Sequence, residues 1–464
     1  MVIPSWSKGS GKVSLSLDPL IPYDWQLEDV DWLGEANRLL ANDCGMGKTL
    51  TAIESAKKYA QGPILVICPR LTKLWWAFNI ERQQAGIVGV CGKAGRGVKW
   101  AKLGKRKAVY PLVWTIVHPT AVRMSINDIL KVKWDTVIVD EAHRFKNRQA
   151  KQTIALRKIQ ARRKILMTAT PYGRSPADMW ALLNYIQPDQ FRSFWRFDRN
   201  YVNRYWGPPR PMNQKAMAQE IAPYYKKRDI AILKLPPLTY SDVPILMKPA
   251  QEKVYRELVH QDYTEFAGEE VVIMNALVQF LRLQQCALDP GLMLKKEDAP
   301  LYPLGEIPAK VEWLQEWLED HEGEPVVLTS RYRKFVEKWL APLAPKATVV
   351  GGMSEDEVKL ALEEFERTGI LVGSLDAIKE GLNLQRANTI IVTDGSRSST
   401  AEYQLSKRVY RVGQTKPTQI IHLVGRLNYR NAWTVDMIMR KAITQQFNDA
   451  AVVDTYIRHI QELQ

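Results

Sequence analysis

Apolar residues in this chain recur in two patterns. The first is a short run closed by proline, glycine or polar residues: Pro63-Ile-Leu-Val-Ile-Cys-Pro69, Leu112-Val-Trp-Thr-Ile-Val117, Thr136-Val-Ile-Val139 and Lys164-Ile-Leu-Met167. Such runs predict strands covered on both faces, as in a parallel sheet. The second pattern has helical spacing: Val30, Leu33, Leu39 and Leu40; the stretch Leu50 to Tyr59; then Leu71, Leu74, Trp75 and Phe78. Strands alternating with helices imply a doubly wound sheet that binds ligands at the carboxyl ends of its strands. From about Gln187 to Pro303 the alternation stops. An aromatic and basic run comes first, from Phe191 to Trp206, followed by helical patterns at 253–263 and 271–286. The joint Leu235-Pro-Pro-Leu238 reads as a boundary. Strand signals then resume at 325–328, 347–350, 369–372, 388–392 and 419–424. The expected fold is α/β: two tandem parallel-sheet lobes, 1–235 and 236–464, with a helical protrusion between them. Residues 1–20 read as a loosely ordered start.

At 464 residues the chain exceeds what one core supports, in keeping with two lobes. Its formal net charge of +15 suits a polyanionic partner. Between Lys93 and Lys107 stand seven Lys or Arg and no acid, a candidate phosphate contact or else a solvated face. The four cysteines form no Cys-x-x-Cys pair, which argues against zinc and for a reducing compartment. No apolar run approaches the roughly 20 residues that span a bilayer, and no signal-type run opens the chain. The expectation is a soluble cytoplasmic protein, the host's cytoplasm if it is phage-encoded, without membrane contact.

Three polar motifs carry chemistry. Asn42-Asp-Cys-Gly-Met-Gly-Lys-Thr49 places Gly45 and Gly47 where backbone N–H groups, that of Met46 included, can close on phosphate. Lys48 reaches β- and γ-phosphates, the Thr49 hydroxyl holds Mg²⁺, and the helix starting at Leu50 aims its positive end at the same anion. The full P-loop has glycine six residues before the lysine; Asn42 stands there instead. At the end of a strand run, Asp140-Glu-Ala-His143 supplies carboxylates: Asp140 for Mg²⁺, Glu141 to orient or deprotonate the attacking water. His143 reads as a polar link to the other half. Downstream, Gln404-x-x-x-Arg408-x-x-Arg411-x-Gly-Gln414 puts two guanidinium groups on one helix face, a phosphate grip or a solvated basic face.

These motifs, taken in order with Thr168-Ala-Thr-Pro171 and Gly381-Leu-Asn-Leu384, resemble those of the superfamily 2 helicases. The Arg-x-x-Arg-x-Gly-Gln ending, Gly-Leu-Asn-Leu and Arg228-Asp-Ile230 ahead of Leu235-Pro-Pro237 narrow the resemblance to the Snf2-like branch, over about Leu20 to Val424. The resemblance implies RecA-like lobes, ATP and Mg²⁺ as cofactors, and arginine fingers at Arg408 and Arg411 supported by Gln404. It implies adenine reading by Gln26, nucleotide contacts from Gly45 to Leu50 and at Gly381, and strand contacts by Arg70, Lys73, His118, Thr120, Thr170, Ser330, Arg331, Ser374 and Asn383. The implied partner is DNA, duplex, forked or branched, with a monomeric motor tracking its backbone and no protein-reader domain. Asn42-Asp43 replaces the branch's Asp-Glu, Gly395 to Thr400 replaces its Trp-Asn-Pro, and the middle insertion is short. These departures resemble the small phage-encoded members more than remodelling subunits. An RNA helicase and a non-catalytic nucleic-acid scaffold are the alternative readings; the Arg408 to Gln414 ending speaks against the first and the intact motif set against the second.

Overall fold

A computed structural model describes residues 18–90, 112–172, 175–204, 209–260, 263–266, 269–272, 276–294, 306–378, 382–395, 399–428 and 434–444. The basic run 93–107, Gly381, and Tyr205 and Trp206 lie outside these residues. The chain divides into two compact units, Met1–Lys234 and Leu235–Gln464.

The first unit is built on a seven-stranded sheet. Its strands are β1 (Arg38–Leu40), β2 (Ile64–Ile67), β3 (Ile87–Val90), β4 (Val113–Val117), β5 (Trp134–Val139), β6 (Ala161–Met167) and β7 (Tyr225–Lys226). They lie in the order β3-β4-β2-β5-β6-β1-β7, every pair parallel. The unbroken apolar runs follow from two-sided burial. In β2, Leu65 and Ile67 join one core cluster while Ile64 and Val66 join the other. In β5, Val137 and Val139 face the first cluster and Ile138 the second, as a period of two requires. The helices that matter for the site are α1 (Asp24–Leu33), α2 (Lys48–Tyr59) and α3 (Lys73–Arg82); α4 (Ala177–Ile186) and α5 (Phe194–Tyr201) lie between β6 and β7.

Leu39 and Leu40 do not continue the helix that their spacing predicts. Gly34, at φ +45°, ends α1, and the two leucines become β1, one side chain in each core cluster. The helix over 271–286 is also shorter than its pattern: 269–272 is a strand paired with 263–266, and the helix runs Ala276–Leu288.

The second unit repeats the scheme with β8 (Leu238–Leu246), β9 (Val326–Ser330), β10 (Thr348–Val349), β11 (Ile370–Ser374), β12 (Thr389–Val392) and β13 (Thr418–Arg426), in the order β8-β13-β12-β9-β11-β10, all parallel. Strand β8 carries Pro244 and lies at an edge, where a missing N–H is tolerated. Helices α6 (Pro249–His260), α7 (Ala276–Leu288) and α8 (Ala309–Asp320) precede β9. Helix α9 (Ser399–Val409) bears the downstream arginine motif, and α10 (Val435–Thr444) joins α6 and α7 in a separate apolar cluster around Tyr255, Phe280 and Met439.

Candidate nucleotide site and strand contacts

In the first unit the sheet order brings the motifs to one edge. The P-loop follows β1, Arg70 follows β2, His118 follows β4, Asp140 follows β5 and Thr168 follows β6, all at carboxyl ends of parallel strands. Gly45 and Gly47 have φ of +82° and +69°, which L side chains rarely adopt. A Cβ on Gly47 would lie 2.7 Å from the Gln26 amide nitrogen, so the cradle needs a glycine there. Gln26 is buried on α1; its amide donates to the carbonyls of Met46 and Gly47 at 3.3 Å each and accepts from Tyr23 N–H at 2.9 Å. The side chain implied to read adenine therefore also splints the loop.

Lys48 opens α2, and its ammonium donates to the carbonyls of Asn42 at 2.7 Å and Asp43 at 3.0 Å. That uses two of its three donors and lays its charge across the mouth of the loop. Thr49 and Leu50 follow, half-buried in the first turn. The positions that depart from the usual pattern have a structural use. The Asn42 amide donates to Asp29 Oδ2 at 2.6 Å and accepts from Arg228 N–H at 2.9 Å; Asp43 Oδ2 accepts from Ile230 N–H at 3.0 Å. Arg228 Nε and Lys226 Nζ both reach Asp29 Oδ1, at 2.9 and 2.8 Å. The P-loop is thus clasped to the Arg228–Ile230 segment through a buried aspartate.

Asp140 accepts from the indole N–H of Trp76 at 3.0 Å and from Glu141 N–H at 2.9 Å. Burial first, and the neighbouring Glu141 charge second, push its pKa up to about 6, against the pull of Trp76 and Lys48. A carboxylate held this way gains from a cation, because burial penalises its unpaired charge. Glu141 adopts φ +48°, the left-handed region, at an order of 1–3 kcal/mol of strain for a non-glycine residue. Its carboxylate lies 3.2 Å from His143 Nδ1, which is also 3.1 Å from the Thr168 hydroxyl; that oxygen accepts from Thr170 N–H at 3.2 Å. Both of these His143 contacts join the acidic segment to Thr168-Ala-Thr170 within the first unit.

In the second unit, Gln404 and Arg408 lie half-buried on α9, but the helix ends at Val409. Arg411 stands in the turn beyond it, not on the same helix face. Gly413 at φ +93° turns the chain, and the Gln414 amide donates to the carbonyls of Gln385, Ala387 and Val409 at 3.0–3.2 Å. That staple holds the arginine turn against the segment after Asn383. Arg408 Nε and Asn383 Oδ1 are buried polar atoms without a hydrogen-bond partner among the described residues. Glu402 anchors α9 by accepting from Arg440 of α10 at 2.9 Å.

Residues 25–292 match the model of the SNF2-related domain, and residues 309–413 match that of the helicase conserved C-terminal domain. The chain belongs to the SNF2-related family. Its two matched domains are those of a Snf2-type, DNA-dependent ATPase, and its two parallel-sheet lobes are the RecA-like pair of superfamily 2. It is 26% identical over 436 residues to the zebrafish (Danio rerio) chromodomain-helicase-DNA-binding protein 1-like, covering 88% of this chain and 42% of that one. It is 24% identical over 438 residues to the ISWI chromatin-remodeling complex ATPase ISW1 of Saccharomyces cerevisiae, covering 87% and 38%. The SNF2-related chain thus spans less than half the length of these relatives. A solved structure, the Sulfolobus solfataricus SWI2/SNF2 ATPase core in complex with dsDNA, aligns over 94% of this chain and 95% of its own at 19% identity, with a TM-score of 0.42.

The strand-contact candidates of this SNF2-related chain divide by burial. Arg70 and Thr120 are exposed, and His118, Thr170, Arg331 and Asn383 are half-buried. Lys73, Ser330 and Ser374 are only 3%, 1% and 6% exposed, so they present no surface here. Lys73 lies on the face of α3 that packs inward beside Trp76. Ser330 ends β9 and bonds Asp394, a carboxyl raised by burial and held by Arg331 N–H at 3.1 Å. His118 is spent locally as well: its Nδ1 accepts from Ala121 N–H at 3.3 Å and caps the helix Pro119–Met124. Trp76 and Asp29 are site-supporting residues that sequence reasoning did not nominate, and Gln414, quoted there only as the end of the arginine motif, supports the turn. Among the described residues no helix is long and apolar enough to cross a membrane.

Proposed function

We propose that this chain is an ATP-driven DNA motor that advances along duplex DNA through backbone contacts and remodels branched DNA at forks or junctions. The supporting observation is the shared sheet edge of the first lobe. Nucleotide-handling groups and strand-contact candidates leave neighbouring strands side by side, so a small shift in one loop is felt in the next. The site residues fit Mg²⁺ and ATP: a glycine cradle that a Cβ would fill, a lysine across its mouth, and a desolvated carboxylate, Asp140, whose pKa stays raised despite the nearby Lys48 charge. Thr49 and Asp140 would hold Mg²⁺, which when bound offsets phosphate charge. Lys48 would neutralise β- and γ-oxygens and Glu141 would orient the attacking water, while Arg408 and Arg411 of the second unit are the candidate arginine fingers. His143 passes a change at Glu141 to Thr168 and Thr170. Binding through phosphates carries no sequence preference. The protein is expected to act as a monomer in the cytoplasm.

The test compares ATP turnover with single-stranded, linear duplex, forked and four-way DNA, and with RNA. The proposal expects strong stimulation by DNA, more by forked or four-way than by linear duplex, and little by RNA. Stimulation by RNA alone would overturn the DNA assignment. Equal stimulation by linear and branched duplex would overturn the branched preference only.

A further inference from the structure

The aromatic and basic run between β6 and β7 is only partly core. Phe191, Phe197 and Tyr201 are buried, but Trp195 is 65% exposed. Arg192, just ahead of α5, and Arg196 and Arg199 on it are exposed too. Trp195 and Arg196 lie four and three residues before Arg199, so the three share one face of α5, and Arg192 stands just ahead of it. This face does not stabilise the helix. Its first turn holds no acid, and positive side chains near a helix N-terminus oppose the macrodipole. Nearby carboxylates are engaged elsewhere. Asp198 is held by Arg204 at 2.7 and 2.8 Å, and Glu220 accepts from the Tyr201 hydroxyl. The indole is braced from one side: the Arg148 guanidinium sits 4.2 Å over Phe194 and 5.6 Å over Trp195, and Phe194 packs edge-on against Trp180.

We infer that Arg192, Trp195, Arg196 and Arg199 form a further nucleic-acid contact on the first lobe, outside the motifs at the sheet edge. The inference rests on the DNA reading given above. On α5, Arg196 and Arg199 stand about 4.5 Å apart along the helix axis at 1.5 Å per residue, and Arg192 lies ahead of the helix start. That is on the order of one nucleotide step at 3.4 Å per strand. Guanidinium forks match phosphate oxygens in pairs, and a braced, exposed indole offers a flat platform to a base or sugar without choosing sequence. An acidic protein would use the arginines, but it would leave the 65% exposed Trp195 indole without a flat partner, which a base or sugar supplies.

The experiment is equilibrium binding of labelled forked DNA across a salt series, comparing the wild-type chain with Arg192→Ala, Arg196→Ala and Arg199→Ala combined. All three positions are exposed, and a thermal melt verifies folding. The combined variant should bind about tenfold or more weakly at low salt, and its log K against log salt slope should fall by about two to three, at ~0.9 per phosphate lost. The Lys version of the same triple should keep most of the slope. In parallel, chains labelled with 5-fluorotryptophan, with the Trp195 signal assigned by Trp195→Phe, should show that resonance shifting on DNA titration and not with poly-glutamate. Wild-type binding with an unchanged slope in the triple variant overturns this contact and leaves the motor reading standing. A Trp195 signal that responds to poly-glutamate and not to DNA also overturns it. Failure of the wild type to bind DNA at all overturns the motor reading itself.

Discussion

Trp76→Phe removes the indole N–H from Asp140 and keeps an aromatic ring in a fully buried slot. A hydrogen bond to a charged group contributes about 1.5–3 kcal/mol. At about 1.4 kcal/mol per tenfold, its loss weakens the ionised carboxylate by roughly 10- to 100-fold. The sign follows from the forces on Asp140. Burial and Glu141 raise its pKa to about 6, and the Trp76 donor lowers it, so the variant carboxyl must titrate higher still. Since the ionised form is the one that holds a cation, more alkaline conditions are then needed to reach it. The acid limb of kcat/KM should move to higher pH, and the Mg²⁺ concentration for half-maximal binding of a fluorescent ADP analogue should rise by about tenfold or more. Raising Mg²⁺ should push the acid limb back, because cation and proton compete for one group. The volume lost when the bicyclic indole becomes a single ring in a closed core also costs stability, seen as a lower Tm. A lower Tm with an unmoved acid limb and unmoved Mg²⁺ dependence would show that Trp76 only fills space.

Lys48→Ala and Glu141→Gln should each cut DNA-stimulated hydrolysis by about 10² or more while sparing DNA affinity; unchanged stimulated turnover in either would contradict the site. Arg411→Ala should lower turnover by roughly 10³ and change ATP affinity little, as a transition-state contact does; a matching loss of nucleotide affinity would show ground-state binding instead. His422 is buried, and that burial, helped by the nearby Arg440 charge, holds its pKa well below the usual value. It is neutral when folded and takes a proton in the unfolded chain below about pH 6.5, so its contribution to stability is present above that pH and lost as the pH falls. Melting curves of His422→Gln should therefore fall less between about pH 7 and 5 than those of the wild type; parallel slopes would count against the assignment.

Much of this was legible because a parallel sheet leaves its mark locally. Runs such as Ile64 to Ile67 and Val137 to Val139 announce two-sided burial, and polar motifs just after them mark the binding edge. Less legible were features where two periods agree or partners lie far apart. Leu39 and Leu40 keep phase with α1, and only Gly34 breaks the helix. Along α3 and the turn before it, the apolar series Leu71, Leu74, Trp75 and Phe78 catches only Phe78 among the buried positions, which also include Lys73, Trp76 and Ile80. Lys73, a strand contact by motif resemblance, lies on that buried face, and Trp76, the donor to Asp140, falls outside the apolar series. The clasp of Asn42 and Asp29 by Arg228 joins positions 186 and 199 residues apart, beyond any local pattern. Arg411 looked helical because Arg-x-x-Arg fits a helix face, yet Gly413 and the Gln414 staple end the helix first.

The central claim is that hydrolysis drives movement along duplex DNA. The most direct measurement is the ATP turnover rate against duplex length at constant total base pairs. A motor that runs along the backbone and restarts after each dissociation should turn over faster as length increases, then level off at its run length. A rate that is flat from the shortest duplex the chain can bind would contradict translocation, even if DNA stimulates hydrolysis.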